Sequence, residues 1–137
     1  MNSHTKERNR DFIEVCLSII RREQRSGKSP SLAAVVAEAL SRSPRCHYVA
    51  YDRASEILHM LERSGSAGIA MSNLQRVRWL ELYSQVREAI DGPRKLSFDK
   101  ALSFVLAFRR PSRFYIHPAR AIRLLRPYIE YRIAIPT

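Results

Sequence analysis

Residues 43–58 read SPRCHYVAYDRASEIL, and residues 110–125 read RPSRFYIHPARAIRLL. A shift of 67 lays one on the other and pairs Pro44 with Pro111, Tyr48 with Tyr115, Val49 with Ile116, Arg53 with Arg120, Ala54 with Ala121, Ile57 with Leu124 and Leu58 with Leu125. The likeness extends upstream to Ala34 with Ala101 and Arg42 with Arg109, giving seven identities in the 25 positions from Ala34 to Leu58. Helix entry alone favours a proline and an aromatic ahead of an amphipathic run, so shared local physics explains part of this as well as duplication does. Either origin predicts the same geometry twice: the end of one helix, a proline-punctuated link carrying a tyrosine, and the start of the next helix.

Working outward, Phe12, Cys16, Ile19 and Ile20 recur at helical spacing, with Asp11, Glu14, Ser18, Arg21 and Arg22 opposite, which predicts a first helix from about residue 9 to 24 behind a short polar tail, 1–7. Gly27 stops it. Ser29 and Pro30 then offer an N-cap and a first helical residue for a second helix reaching about Arg42, rich in small apolar residues. The link SPRCHYV reads as extended with Tyr48 packed inward, and a third helix follows from about Tyr51 to Arg63 with Ala54, Ile57, Leu58 and Leu61 on one stripe. SGSAG at 64–68 marks a boundary.

Ser72 or Asn73 caps a fourth helix reaching about Ile90, whose apolar residues spread over more than one side. That breadth places it at the centre of a core or of a dimer. Ser97 caps a fifth helix through FDKALSFVLAFRR, bulky where the second is small, and His117 and Pro118 open a sixth that runs to about Tyr128. The tail IEYRIAIPT carries no assignment. The chain is therefore expected to be all-α, with about six helices in two similar three-helix halves, about 8–66 and 72–131, sharing one core in a single domain, 1–137.

Composition narrows the function. Hydrophobic residues make up 45% and glycine only 4 positions, which suits a packed helical core. No apolar run is long enough to span a bilayer, so no membrane partner is expected and the location is read as cytoplasmic. Cys16 lies on the apolar stripe and reads as core; Cys46 beside His47 lacks a second ligand pair at zinc spacing. Glu56 and His59 have the spacing of a helical di-iron half-site, but the copied helix puts Arg123 and Arg126 at the matching places. Neither a phosphate-cradling glycine loop nor a nucleophile elbow occurs, so neither an enzyme nor a cofactor is expected.

Net charge is +11, and 20 of the 24 basic residues are arginine, the side chain that forks phosphate oxygens. From Lys100 onward eight Lys and Arg face a single carboxylate, Glu130. The candidate phosphate contacts are Arg109, Arg110 and Arg113 in the second link and Arg120, Arg123 and Arg126 on the outer side of the sixth helix. A helix-turn-helix is disfavoured because the link between helices five and six is too long, and the sixth helix has no Asn or Gln to read bases. The expected function is non-enzymatic nucleic-acid binding through an Arg-rich C-terminal half. The alternative is a helical assembly module, a homo-oligomer through the 72–90 helix, with an acidic partner.

Overall fold

A computed structural model describes residues 2–129. Six α-helices follow one another: α1 (Ser3–Arg25), α2 (Leu32–Leu40), α3 (Tyr51–Ser64), α4 (Asn73–Asp91), α5 (Phe98–Phe108) and α6 (Pro118–Tyr128), with a single 3-10 turn at Ser66–Gly68. The described residues include no strand, so the all-α reading holds.

Side-chain caps mark the start of every described α-helix except α3, which follows Ala50 without one. The hydroxyls of Ser31, Ser72 and Ser97 accept from the backbone N–H groups of Ala34, Gln75 and Lys100, satisfying donors that the first turn leaves open. His117 does the same through its ring, accepting from Ala119 N at 3.2 Å, with Pro118 as the first helical residue. Two expected boundaries move. Residues 3–7 of the expected polar tail are helical: α1 starts at Ser3, because the Asn2 side chain caps Thr5 N and the Lys, Glu and Arg that follow are good helix formers. At α2 the cap is Ser31 rather than Ser29, so Pro30 stays outside the helix.

The helices sort into two compact units. The first is built on residues 2–43 and 112–129 of the described chain and holds α1, α2 and α6; the second, residues 44–111, holds α3, α4 and α5. In the first unit Phe12, Cys16, Ile19 and Ile20 of α1 pack with Val35, Val36, Ala39 and Leu40 of α2 and with Ala121 and Leu125 of α6. Phe114, from the stretch leading into α6, is fully buried and meets Phe12 edge-on at 5.4 Å. Its N–H donates to Leu40 O at 3.1 Å, closing a carbonyl at the end of α2.

In the second unit Ala54, Ile57, Leu58 and Leu61 of α3 pack with Trp79, Leu82 and Val86 of α4 and with Ala101, Leu102 and Val105 of α5. The Arg76 guanidinium donates to Ser66 O and Ile69 O, fastening the 3-10 turn to α4. Here His47, not Tyr48, is the residue of its link that turns inward. His47 is 8% exposed, whereas Tyr48 is half-buried, because Gln85 of α4 offers the imidazole a buried partner at 2.6 Å.

The two cores do not follow the chain-order halves. Each unit takes its first two helices from one half and its third from the other: α1 and α2 with α6, α4 and α5 with α3. The repeat register survives inside this exchange. Ala54 and Ala121 are both fully buried, as are Leu58 and Leu125, and buried His47 answers to buried Phe114. Between α2 and α5 the register is 66 rather than 67, since Val35, Val36 and Ala39 match Ala101, Leu102 and Val105 in burial and cap Ser31 matches cap Ser97. The Ala34 and Ala101 identity is thus an exposed position set against a buried one.

The chain enters the second unit at Pro44 and leaves it after Pro111. Gln85 holds both passages. Its Oε1 accepts from His47 Nε2 on the way in, and its Nε2 donates to Arg110 O at 2.9 Å on the way out. A direct bond from Arg110 Nε to Pro44 O, 2.6 Å, ties the passages to each other. Gln85→Ala strands a buried N–H and a carbonyl at once and is expected to lower stability by roughly 2–4 kcal/mol in urea unfolding; a change within experimental error would contradict this role.

Burial holds the His47 pKa below its usual 6.5, an effect that the Gln85 hydrogen bond partly opposes. The unfolded chain therefore binds the extra proton first, so this stabilisation is complete above pH 6.5 and declines as the pH falls below it toward the folded-state value. His47→Phe, which copies Phe114, is expected to flatten that part of the decline when urea midpoints are compared across the range.

Candidate functional site

Most described arginines outside α6 already have work within the fold. Arg22 reaches Glu38 at 2.8 Å with two nitrogens and Glu23 at 2.6 Å, while Arg42 adds a second cation on Glu38 at 2.6 Å. Arg22 first and Arg42 second hold the Glu38 carboxyl down at about 2. Arg53 pairs with Glu56 at 3.3 Å and Arg87 with Asp91 at 3.6 Å. Arg78 lies over the Trp79 ring at 4.7 Å and donates to Tyr48 O. These contacts are mostly exposed and individually weak, yet each places a carboxylate, carbonyl or ring against a cation.

α6 differs. Its inner stripe is Ala121 and Leu125, fully buried, with Leu124 and Tyr128 half-buried beside them. Arg120, Arg123 and Arg126 succeed one another at three-residue spacing on the exposed side. Among the described residues none of the three forms an ion pair with a carboxylate. Arg8 of α1, half-buried in the same unit, senses the charge of one of them: burial first, and the charge of Arg120 second, lower its pKa. Asn9 Oδ1 orients Arg8 by accepting from Nε at 3.2 Å and Nη2 at 2.8 Å.

The remaining expected contacts divide between the units. Arg113 belongs to the first, where its guanidinium lies over the Tyr115 ring at 5.4 Å and its Nε donates to Phe114 O. Arg109 and Arg110 belong to the second: Arg109 pairs with Glu88 at 3.2 Å, and Arg110 serves the passage bond to Pro44. Arg113, Arg120, Arg123 and Arg126 are thus in one unit, and Arg8, absent from the sequence reading, joins them. Helical spacing could not have disclosed it, since α1 and α6 lie at opposite ends of the sequence. By sequence the first unit has thirteen Lys and Arg against six Asp and Glu, the second eleven against seven.

Other chemistry-bearing groups are engaged in packing. Cys16 is fully buried, and burial pushes its thiol up to about 12. His59 donates through Nδ1 to Ser55 O at 2.8 Å and rests on the Phe98 ring at 4.4 Å, so it faces a neighbouring helix instead of solvent. No cluster of three or more metal-ligating side chains occurs among the described residues. No described helix is long and apolar enough to cross a membrane.

Phe108 follows Phe104 at helical spacing but is the last residue of α5 and is 73% exposed. No protein-family model matches the chain, and neither does any curated protein or solved structure. The charge of Arg120 lowers the Arg8 pKa, so the two cations repel. Arg120→Gln is expected to raise the melting temperature slightly at low salt and to lose that gain at high salt; a lower melting temperature at low salt would contradict the repulsion.

Proposed function

We propose that the protein binds nucleic acid without catalysing a reaction, using the arginines of the first unit on backbone phosphates. The observation that carries this reading is the contrast among the arginines: most of those outside α6 meet carboxylates, carbonyls and rings, while Arg120, Arg123 and Arg126 stand outward on one helix and the charge of Arg120 reaches Arg8. Concentrated cations have an electrostatic cost in the free protein and become favourable against a polyanion. Guanidinium groups at helical spacing suit successive phosphates, and Arg113 adds a fifth from the link. Phosphate contacts position a ligand and read no sequence, so affinity with little base preference follows.

A second reading rests on α4, where Val77 and Leu80 are 54% and 40% exposed at three-residue spacing. That small apolar patch suits self-association or an acidic protein partner carrying apolar residues. Light scattering separates the readings: a monomer in which Leu80→Asp changes nothing removes self-association.

Arg120→Ala combined with Arg123→Ala is expected to weaken DNA binding and to make the slope of log K against log salt shallower by about two, on roughly 0.9 per duplex phosphate contact. The check is fluorescence anisotropy over a salt series. Unchanged affinity and slope in the double variant would overturn the proposal.

A further inference from the structure

We infer that the second unit carries a stacking site for unpaired bases, formed by Phe104 and Phe108 of α5, and that the ligand is therefore a single strand. The inference rests on the nucleic-acid reading above and names its ligand class. The two rings lie 5.2 Å apart with their planes at 49°, one helical turn from each other. Phe104 packs against the core of its unit and so fixes one side of the pair; Phe108 turns 73% of its surface to solvent.

Together they form one wall of an open groove of about 440 Å³, whose other lining includes Arg94, Leu96, Lys100 and Ser103. Arg94 and Lys100 are exposed, and among the described residues neither forms an ion pair. Asp99 also lines the groove and accepts from Tyr51 Oη at 2.9 Å, so part of its hydrogen-bonding capacity is directed to α3. The groove therefore combines an aromatic wall with two cations and one acid, a lining that attracts an anionic chain bearing flat apolar faces.

A single strand has that composition. Its bases stack on aromatic side chains irrespective of identity while cations follow its phosphates. A duplex keeps its base faces inside its own stack, so the exposed ring of Phe108 would have little to gain from one. The site thus separates two binding behaviours. Arginines of α6 serve any polyanion, and the phenylalanine pair adds affinity only where bases are free.

The test compares a poly(dT) oligonucleotide with a duplex of equal length, using the full chain and the exposed Phe108, whose replacement spares the core. Phe108→Ala is expected to weaken poly(dT) binding roughly five- to a hundredfold and to leave duplex binding unchanged. Phe108→Trp is expected to retain the affinity and to show indole quenching by poly(dT) above the background of buried Trp79. Equal poly(dT) affinity in wild type and Phe108→Ala, with binding still sensitive to Arg120→Ala and Arg123→Ala, would overturn the stacking site and leave the phosphate reading standing. Loss of self-association in Phe108→Ala without loss of poly(dT) binding would assign the ring to a protein contact and overturn it equally. Absence of binding to either nucleic acid would remove both proposals.

Discussion

One glutamine side chain holds the organisation of the second unit together. Gln85 is buried on α4, with its carbonyl taken by His47 and its amide donated to Arg110 O, and these two residues belong to separate passages of the chain. A buried amide leaves little freedom here, because each polar end needs a partner in the dry interior and each partner is a specific atom of a specific passage. Arg110 Nε on Pro44 O adds a charge-assisted bond between the same passages. The chain is thereby clasped where it enters the second unit and where it leaves it.

The first unit solves the corresponding problem with apolar surface. Phe114 occupies the repeat position of His47, and it packs on Phe12 while its N–H closes the carbonyl of Leu40. One copy therefore uses a directional polar contact and the other an aromatic one. The difference bears on function through the arginines. In the second unit Arg109, Arg110, Arg76 and Arg78 are drawn into structural bonds, whereas in the first α6 needs only its inner stripe for packing and leaves Arg120, Arg123 and Arg126 outward. The proposed division of labour, phosphates at α6 and bases at Phe108, follows from which side chains the packing has not used.

Much of this was legible in the sequence, because helical periodicity and capping are local. Ser72, Ser97 and His117 mark helix starts, and the stripes Ala54 to Leu61 and Ala121 to Leu125 are the ones that the cores bury. The repeat of 43–58 and 110–125 identified equivalent positions without disclosing which helices share a core. Partner choice among amphipathic helices depends on side chains distant in sequence, and neither the Gln85 clasp nor the approach of Arg8 to Arg120 has a local signature. Phe108 shows the same limit: it lies at helical spacing from Phe104, yet the end of α5 runs past the layer that would cover it. The stretch 130–137, including Glu130 and the tail left unassigned by periodicity, lies outside the described residues.

The exchange of third helices is tested most directly by nuclear Overhauser effects from the Phe114 ring, recorded on a mixture of labelled and unlabelled chains so that contacts within one molecule are separated from those between two. The structure predicts an intramolecular effect between Phe114 and Phe12, whose ring centroids are 5.4 Å apart. Effects from Phe114 to Trp79 or Leu102 instead, or to Phe12 of a different molecule only, would contradict it.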